Sequence, residues 1–190
     1  MRVTVRAPSA RDQEEFLARV RASRRLHHPW VSPPDTPAKF RRYMRRTRRD
    51  DFRSFLVFRR EDDALVGVFN LSQIFLGVLR SAYLGYEAFA PFAGQGYMTE
   101  GMRLVLRRAF TRLGLHRVEA NIQPGNLASK RLVRRLGFRK EGYSPRYVRI
   151  GGRWRDHERW AILKEEFLRT VPALRHSRTK TSIEPGANPA

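Results

Sequence analysis

Residues 91–142 read PFAGQGYMTEGMRLVLRRAFTRLGLHRVEANIQPGNLASKRLVRRLGFRKEG, and the reading of this stretch decides the fold. Just upstream, SAYLGYEAF sets Tyr83, Leu84, Tyr86 and Phe89 in a run that suits a pleated, half-buried surface, which predicts a strand. Beyond Gly96 the period of the apolar residues changes. Met102, Val105, Leu106, Ala109, Phe110 and Leu113 recur at the three- and four-residue steps of one helical stripe. A strand, a glycine loop and a helix therefore succeed one another. Gly94 and Gly96, two residues apart, let the backbone come close to a ligand, and the free N–H groups of the helix's first turn then point at an anion such as a phosphate or pyrophosphate. Taken alone, the same pair of glycines fits an ordinary tight turn.

The residues downstream of the helix narrow the choice. His116 to Ile122 is predicted as a second strand, and Pro124 to Ser129 opens a short helix that stops at Leu136, Gly137 and Phe138. The succession G-x-G-Y-x-x-E from Gly94, H-R-x-x-A-N from His116, P-x-N-x-x-S from Pro124, L-G-F-x-x-E-G from Leu136 and G-x-W-R-D-H from Gly152 resembles the GNAT superfamily of acetyl-CoA-dependent N-acetyltransferases. Within it the likeness is to the RimJ/RimL group, nearest its RimJ branch, whose members acetylate the N-termini of ribosomal proteins. It covers Ala82 to Leu163 well, and the N-terminal third only in its order of elements.

The resemblance implies an α/β fold with a mixed, largely antiparallel central sheet and helices on both faces. It also implies that the strands before and after the long helix splay apart to admit acetyl-CoA. Carried over residue by residue, the pyrophosphate loop falls on Gly94, Gln95, Gly96, Tyr97, Met98 and Thr99. Many relatives have Gln or Arg three residues before the first glycine, where this chain has Pro91. Asn126 and Ser129 match the asparagine and serine that stand near pantetheine and thiol, and both also fit an N-cap and a first-turn residue. Relatives that carry a glutamate base five residues before that asparagine and a tyrosine acid seven after it are matched here by Asn121 and Val133. Glu119 and Glu87 are thus the substitute bases and Ser129 the substitute acid, with Asn121 on the same strand face as Glu119.

Composition limits the alternatives. With 190 residues and 41% hydrophobic content the chain can bury a core, and one domain over residues 1–170 is expected. No apolar run reaches membrane-spanning length, no secretory signal opens the chain, and cysteine is absent, which removes disulfides, thiolate zinc sites and a cysteine nucleophile. A cytoplasmic protein is expected, with no membrane partner. Five scattered histidines, of which only His27 and His28 adjoin, suggest no metal site. The net charge is +21, from 34 arginines and five lysines among 39 basic residues. Such a field favours encounter with RNA or a ribosome, and arginine bias of this kind also arises from a GC-rich genome.

In chain order, Arg2 to Ala7 alternates as a strand, and Ser9 with Asp12 caps a helix that buries Phe16, Leu17 and Val20. Three prolines make His27 to Pro34 a stiff loop. Thr36 caps a second helix, with Pro37 at its first position and Phe40, Tyr43, Met44 and Thr47 inward. Phe52 to Arg60 and Ala64 to Leu71 form a hairpin, and Tyr147 to Ile150 and Arg155 to Leu163 form another around Gly151 and Gly152. Residues 171–190 are expected to be a disordered tail.

The missing base and acid bear on the acceptor. An α-amine of pKa about 8 needs about 1.4 kcal/mol of help to deprotonate at neutral pH, and a lysine near 10.4 more than three times as much. A protein N-terminus is the expected acceptor, with alanine first on the strength of the resemblance. Trp30, Tyr86, Tyr143, Tyr147 and His157 are the candidate lip of that site. Two rivals stay open: an acetyltransferase of small amines, which would share every cofactor residue, and a basic RNA- or ribosome-binding module without acetyl-CoA. Monomer and homodimer are both compatible with the sequence.

Overall fold

Leu56 and Phe58 point to one side of their strand and Val57 to the other, and each side has its own core. This alternation organises the protein, which we describe from a computed structural model over residues 1–170; the expected tail lies outside the described residues. The elements are β1 (Val3–Arg6), a 3-10 turn (Ala10–Asp12), α1 (Gln13–Ala22), α2 (Arg24–His27), α3 (Pro37–Arg46), β2 (Phe52–Arg59) and β3 (Leu65–Phe75). After these come β4 (Ser81–Ala88), α4 (Tyr97–Thr111), β5 (Arg117–Ile122), α5 (Leu127–Arg135), β6 (Arg139–Ile150), β7 (Arg153–Leu163) and α6 (Lys164–Thr170).

The strands form one seven-stranded sheet in the order β1-β2-β3-β4-β5-β7-β6. Among the described residues only β4 and β5 pair in parallel, as befits two strands joined by the crossover helix α4. On one face α4 lays down the predicted stripe, with Met102, Val105, Leu106, Ala109 and Phe110 buried against Phe69, Leu84 and Val118. Gly101 permits the close approach, since a Cβ there would stand 3.0 Å from the Phe69 ring. On the other face Phe16, Phe40, Tyr43 and Phe89 form an aromatic cluster under α1 and α3, with Phe16 and Phe40 ring centres 5.2 Å apart. Thr36 caps α3 as expected, accepting the Lys39 N–H at 3.3 Å.

Several boundaries differ from the sequence reading. His27 closes the short helix α2 instead of opening the loop, because the prolines restrict only the residues after it. β3 continues beyond Leu71 to Phe75, and β6 begins at Arg139, well before Tyr147. The strand β6 is mostly exposed, so its outward side chains carry little of the apolar alternation by which a strand is recognised.

Candidate active site

β4 and β5 are paired only at Ser81 with Arg117, Ala82 with Val118 and Tyr83 with Glu119. Past that point β4 stays on β3 as far as Ala88, and β5 stays on β7 as far as Ile122. The two strands therefore part, and a cavity of about 1010 Å³ occupies the opening. Both faces of β4 contribute to its wall. Tyr86 packs with the α4-side core and Glu87 stands on the side of Phe89 and Tyr43.

One end of the cavity is the glycine loop. Gly94 and Gly96 have φ of 80° and 85°, the left-handed region that an L side chain enters only at a cost, and Gly96 is the N-cap of α4. The first N–H of this segment to find a backbone acceptor is that of Thr99, bonded to Gly96 O at 3.0 Å. Among the described residues, nothing accepts the N–H groups of Gly94 to Met98, so the loop presents a row of donors at the positive end of a 15-residue helix. Gly94, Gly96, Met98 and Thr99 line the cavity. The side chains of Gln95 and Tyr97 do not: Gln95 turns back to Pro91 O at 2.8 Å, and Tyr97 is buried beside Phe92.

Arg2, to which the sequence gives no signal, fastens this loop from the other end of the chain. Its Nε donates to Glu100 at 2.7 Å, its Nη2 donates to Gln95 O at 3.0 Å, and its guanidinium lies 4.6 Å over the Tyr97 ring. Arg2→Ala should cost under about 1 kcal/mol in stability, because the pair is surface-exposed. It should nonetheless weaken acetyl-CoA binding several-fold by loosening the donors. Calorimetric titration beside a thermal melt checks both, and an unchanged affinity would refute the clamp.

At the centre, the Tyr86 hydroxyl and Ser129 Oγ are hydrogen-bonded across the wedge, joining β4 to α5. Burial raises the Tyr86 phenol well above its ordinary pKa. Asn126 Oδ1 accepts the Ser129 N–H at 3.0 Å, so Asn126 is the N-cap of α5 and its amide nitrogen remains available to a ligand. Burial alone pushes the Glu87 carboxyl up to about 7. Asn121 lines the cavity with its Oδ1 buried and without a partner among the described residues.

The expectation for Glu119 needs correction. It does not line the cavity; Arg117 Nε holds it at 2.9 Å while the same guanidinium binds Glu141, so its carboxylate is engaged away from the opening. Sharing a strand face with Asn121 was not enough, because β4 and β5 have not yet parted at Glu119.

Of the proposed lip, Trp30, Tyr86, Tyr147 and His157 line the cavity. Trp30 O accepts the Gln123 amide at 3.1 Å, and the indole lies so close that a Cβ on Gly125 would meet it at 3.2 Å. Tyr147 and His157 meet edge to face at 6.3 Å, and burial lowers the imidazole pKa. Tyr143 is a correction: it is 51% exposed on the outer hairpin and bonds Asp156 instead. The sequence reading missed His27, buried with Nε2 2.9 Å from Ala88 O and with Nδ1 unpartnered among the described residues. It also missed Tyr83, whose hydroxyl is pushed up to about 12 by that of Tyr147. A histidine at the end of a four-residue helix carries no pattern that would have marked it. Arg131, Arg135 and Arg149 also border the opening.

Residues 2–139 match the acetyltransferase (GNAT) domain family. The chain belongs to the GNAT acetyltransferases. Among its curated relatives is the probable N-acetyltransferase YjcK of Bacillus subtilis, 42% identical over 124 residues that span 65% of this chain and 68% of that protein. The [ribosomal protein uS5]-alanine N-acetyltransferase of Escherichia coli is 38% identical over 103 residues, and the match spans 54% of this chain and about half, 53%, of that enzyme. Mycobacterium smegmatis RimJ in complex with CoA-disulfide superposes with a TM-score of 0.77 at 30% identity, over 86% of this chain and 83% of that one. The spermidine N-acetyltransferase of Vibrio cholerae in complex with CoA and spermine does so at 0.76 over 88% and 98%, with 22% identity, a likeness of fold. This GNAT chain thus shares its fold with proteins that hold CoA. Its own residues fit the group: a row of unsatisfied N–H donors for a pyrophosphate, and an opening through the sheet for the arm beyond it. Among the described residues no cluster of His, Asp and Glu could hold a metal ion, and no helix is long and apolar enough to cross a membrane.

Proposed function

We propose that the protein transfers the acetyl group of acetyl-CoA to the α-amine of a protein N-terminus, with a ribosomal protein beginning in alanine as the acceptor. The observation that carries the reading is the opening between β4 and β5, which has a donor-lined glycine loop at one end and the Glu87 carboxyl in its wall. Acetyl-CoA, when bound, supplies a thioester carbonyl and a thiolate leaving group. Gly94 to Met98 hold its pyrophosphate through backbone N–H groups, and Asn126 reaches the arm with its free amide nitrogen.

The remaining chemistry falls to side chains. Glu87, ionised at about pH 7, takes the proton that the ammonium must lose, directly or through one water. Asn121 Oδ1 accepts a second N–H of the amine and turns its lone pair toward the carbonyl carbon. With acetyl-CoA bound, the N–C bond would form as the C–S bond breaks; the Ser129 hydroxyl would give its proton to the leaving sulfur, and the second proton shed by the new amide nitrogen would pass through water to the hydrogen-bonded Ser129 and Tyr86 pair, leaving both hydroxyls protonated.

The acceptor class comes from matched acidities. A proton moves from an α-amine of pKa about 8 to a carboxylate near 7 at a cost of about 1.4 kcal/mol, while a lysine ammonium near 10.4 costs more than 4 kcal/mol. A polyamine meets a further obstacle, since Arg131, Arg135 and Arg149 border the opening and the whole chain carries +21. The similarity to a uS5-alanine N-acetyltransferase and to a RimJ structure supports the ribosomal acceptor. Three acceptors test the reading by mass spectrometry: a peptide with a free N-terminal alanine, an N-blocked peptide containing lysine, and spermidine. The first should be acetylated at least about 100-fold faster than either of the others, in line with the difference of more than two units between the amines. Equal rates, or activity confined to spermidine, would sink the proposal.

A further inference from the structure

From the last residue of β3 into the turn before β4 the chain reads Phe75, Leu76, Gly77, Val78, Leu79, and it buries none of them. Phe75, Leu76, Val78 and Leu79 leave 59%, 58%, 100% and 59% of their surfaces exposed. Scattered exposed apolar residues need no explanation, but four large ones in five consecutive positions form a patch of the kind that marks an interaction site. The loop is seated firmly enough to present them. Ile74 packs against the core and its N–H bonds Asp51 O at 3.1 Å, and at the other end Arg80 O accepts the His116 N–H at 2.7 Å.

Three features of its surroundings indicate what covers it. First, the loop is continuous with the site: Ser72 and Gln73, on the strand leading into it, line the cavity, and the β3–β4 register breaks between Ser72 and Phe75. Second, the turns that abut it through those backbone bonds are charged and exposed: Arg48 and Arg49 with Asp50 and Asp51 on one side, where Arg49 is paired with Asp51, and Arg80 and Arg112 on the other, where the positive charge is unbalanced within the turn. An apolar centre inside a charged rim is the anatomy of a protein interface. Third, the patch is small. Four side chains offer a few hundred Å², within the ~300–600 Å² of functional patches on monomers and short of the ~800 Å² per partner of a stable interface. A second strongly basic copy of this chain would also be repelled by the rim.

We propose that the loop at residues 75–79 is a docking point for the folded protein that carries the acceptor amine, engaging an apolar surface with an anionic border beside its N-terminus. The proposal rests on the protein-acceptor reading above and adds a second contact to it. Docking outside the cavity lowers KM for an intact acceptor and leaves a short peptide unaffected, because only the former can reach both surfaces at once.

The test compares Leu76→Ser/Val78→Ser/Leu79→Ser with wild type on two probes, intact ribosomal protein uS5 with a free N-terminus and a peptide of its first eight residues. Wild type should show a kcat/KM at least 5-fold higher for uS5 than for the peptide. The variant should lose that advantage through KM, with peptide kinetics, acetyl-CoA affinity and melting temperature unchanged. Val78→Ser alone, at a fully exposed position, repeats the test should the triple variant unfold. Raising salt from 50 to 300 mM should weaken the uS5 advantage by screening the arginine rim. An unchanged uS5-to-peptide ratio in both variants overturns the proposal. So does a dimer by sedimentation that the substitutions dissociate, or binding to phosphatidylglycerol vesicles that they abolish, since each assigns the patch another occupant. Wild type that acetylates the peptide but gains nothing on uS5 removes the docking point and keeps the reaction. Acetylation of neither probe removes both.

Discussion

Glu87→Gln is expected to slow acetyl transfer by about 100-fold or more at pH 7, the scale of losing a general base, and to raise the melting temperature at pH 8. Both effects come from one cause. Burial pushes the Glu87 carboxyl from 4.5 up to about 7, so the folded protein holds a proton there that the unfolded chain gives up. Between about pH 4.5 and 7 the folded state binds more protons, and stability therefore falls as pH rises through that window. At pH 8 the ionised, half-buried carboxylate costs at most about 3 kcal/mol. A neutral amide escapes this cost, which should lift the melting temperature by several degrees. At pH 4.5 and below the two proteins should melt alike. The rate profile supplies an independent check. Log kcat/KM of the wild type should rise with slope 1 below about pH 7, where Glu87 must first ionise, and level off between about pH 7 and 8, where the carboxylate takes the proton of the ammonium. Glu87→Gln should show slope 1 throughout. A variant with full activity would remove Glu87 from the mechanism, and one no more stable than wild type at pH 8 would remove the raised acidity on which its role rests.

Gly96→Val should weaken acetyl-CoA binding at least about 10-fold, on the basis of ~1.5–3 kcal/mol for each hydrogen bond to a charged group that is lost. At φ of 85° a β-branched side chain is strained, and its Cβ would stand 3.2 Å from the Arg2 guanidinium that braces the loop. Relief requires the turn to move, and the turn carries the donors. Gly114→Val is the control, because Gly114 has φ of 67° yet lies in the turn between α4 and β5, away from the cavity. It should lose comparable stability and keep its affinity by calorimetry. Equal affinity in Gly96→Val and wild type would mean that the loop does not hold the pyrophosphate.

What was legible in the sequence was whatever short-range physics dictates. The stripe from Met102 to Phe110 marked α4 because a helix must bury one face, and the aromatic run at Tyr83 to Phe89 marked β4 because a sheet favours such residues. Gly94 and Gly96 announced positive φ at the head of a helix, and Asn126 announced a cap. These local rules, with the motif spacing, located the loop, the wedge strands and Ser129.

The tertiary structure decided which groups meet and what their surroundings make of them. Glu119 and Glu87 are equivalent in the sequence, two carboxylates on neighbouring strands. Pairing of β4 with β5 ends at Glu119, so it lies short of the opening and is held by Arg117, while Glu87 lies past the parting of the strands, where burial alone sets its acidity. The union of Tyr86 with Ser129 spans 43 positions and that of Arg2 with Glu100 spans 98. No local pattern encodes such separations, because a side chain's partner and its loss of water are set by packing, and packing exists only once the chain has folded.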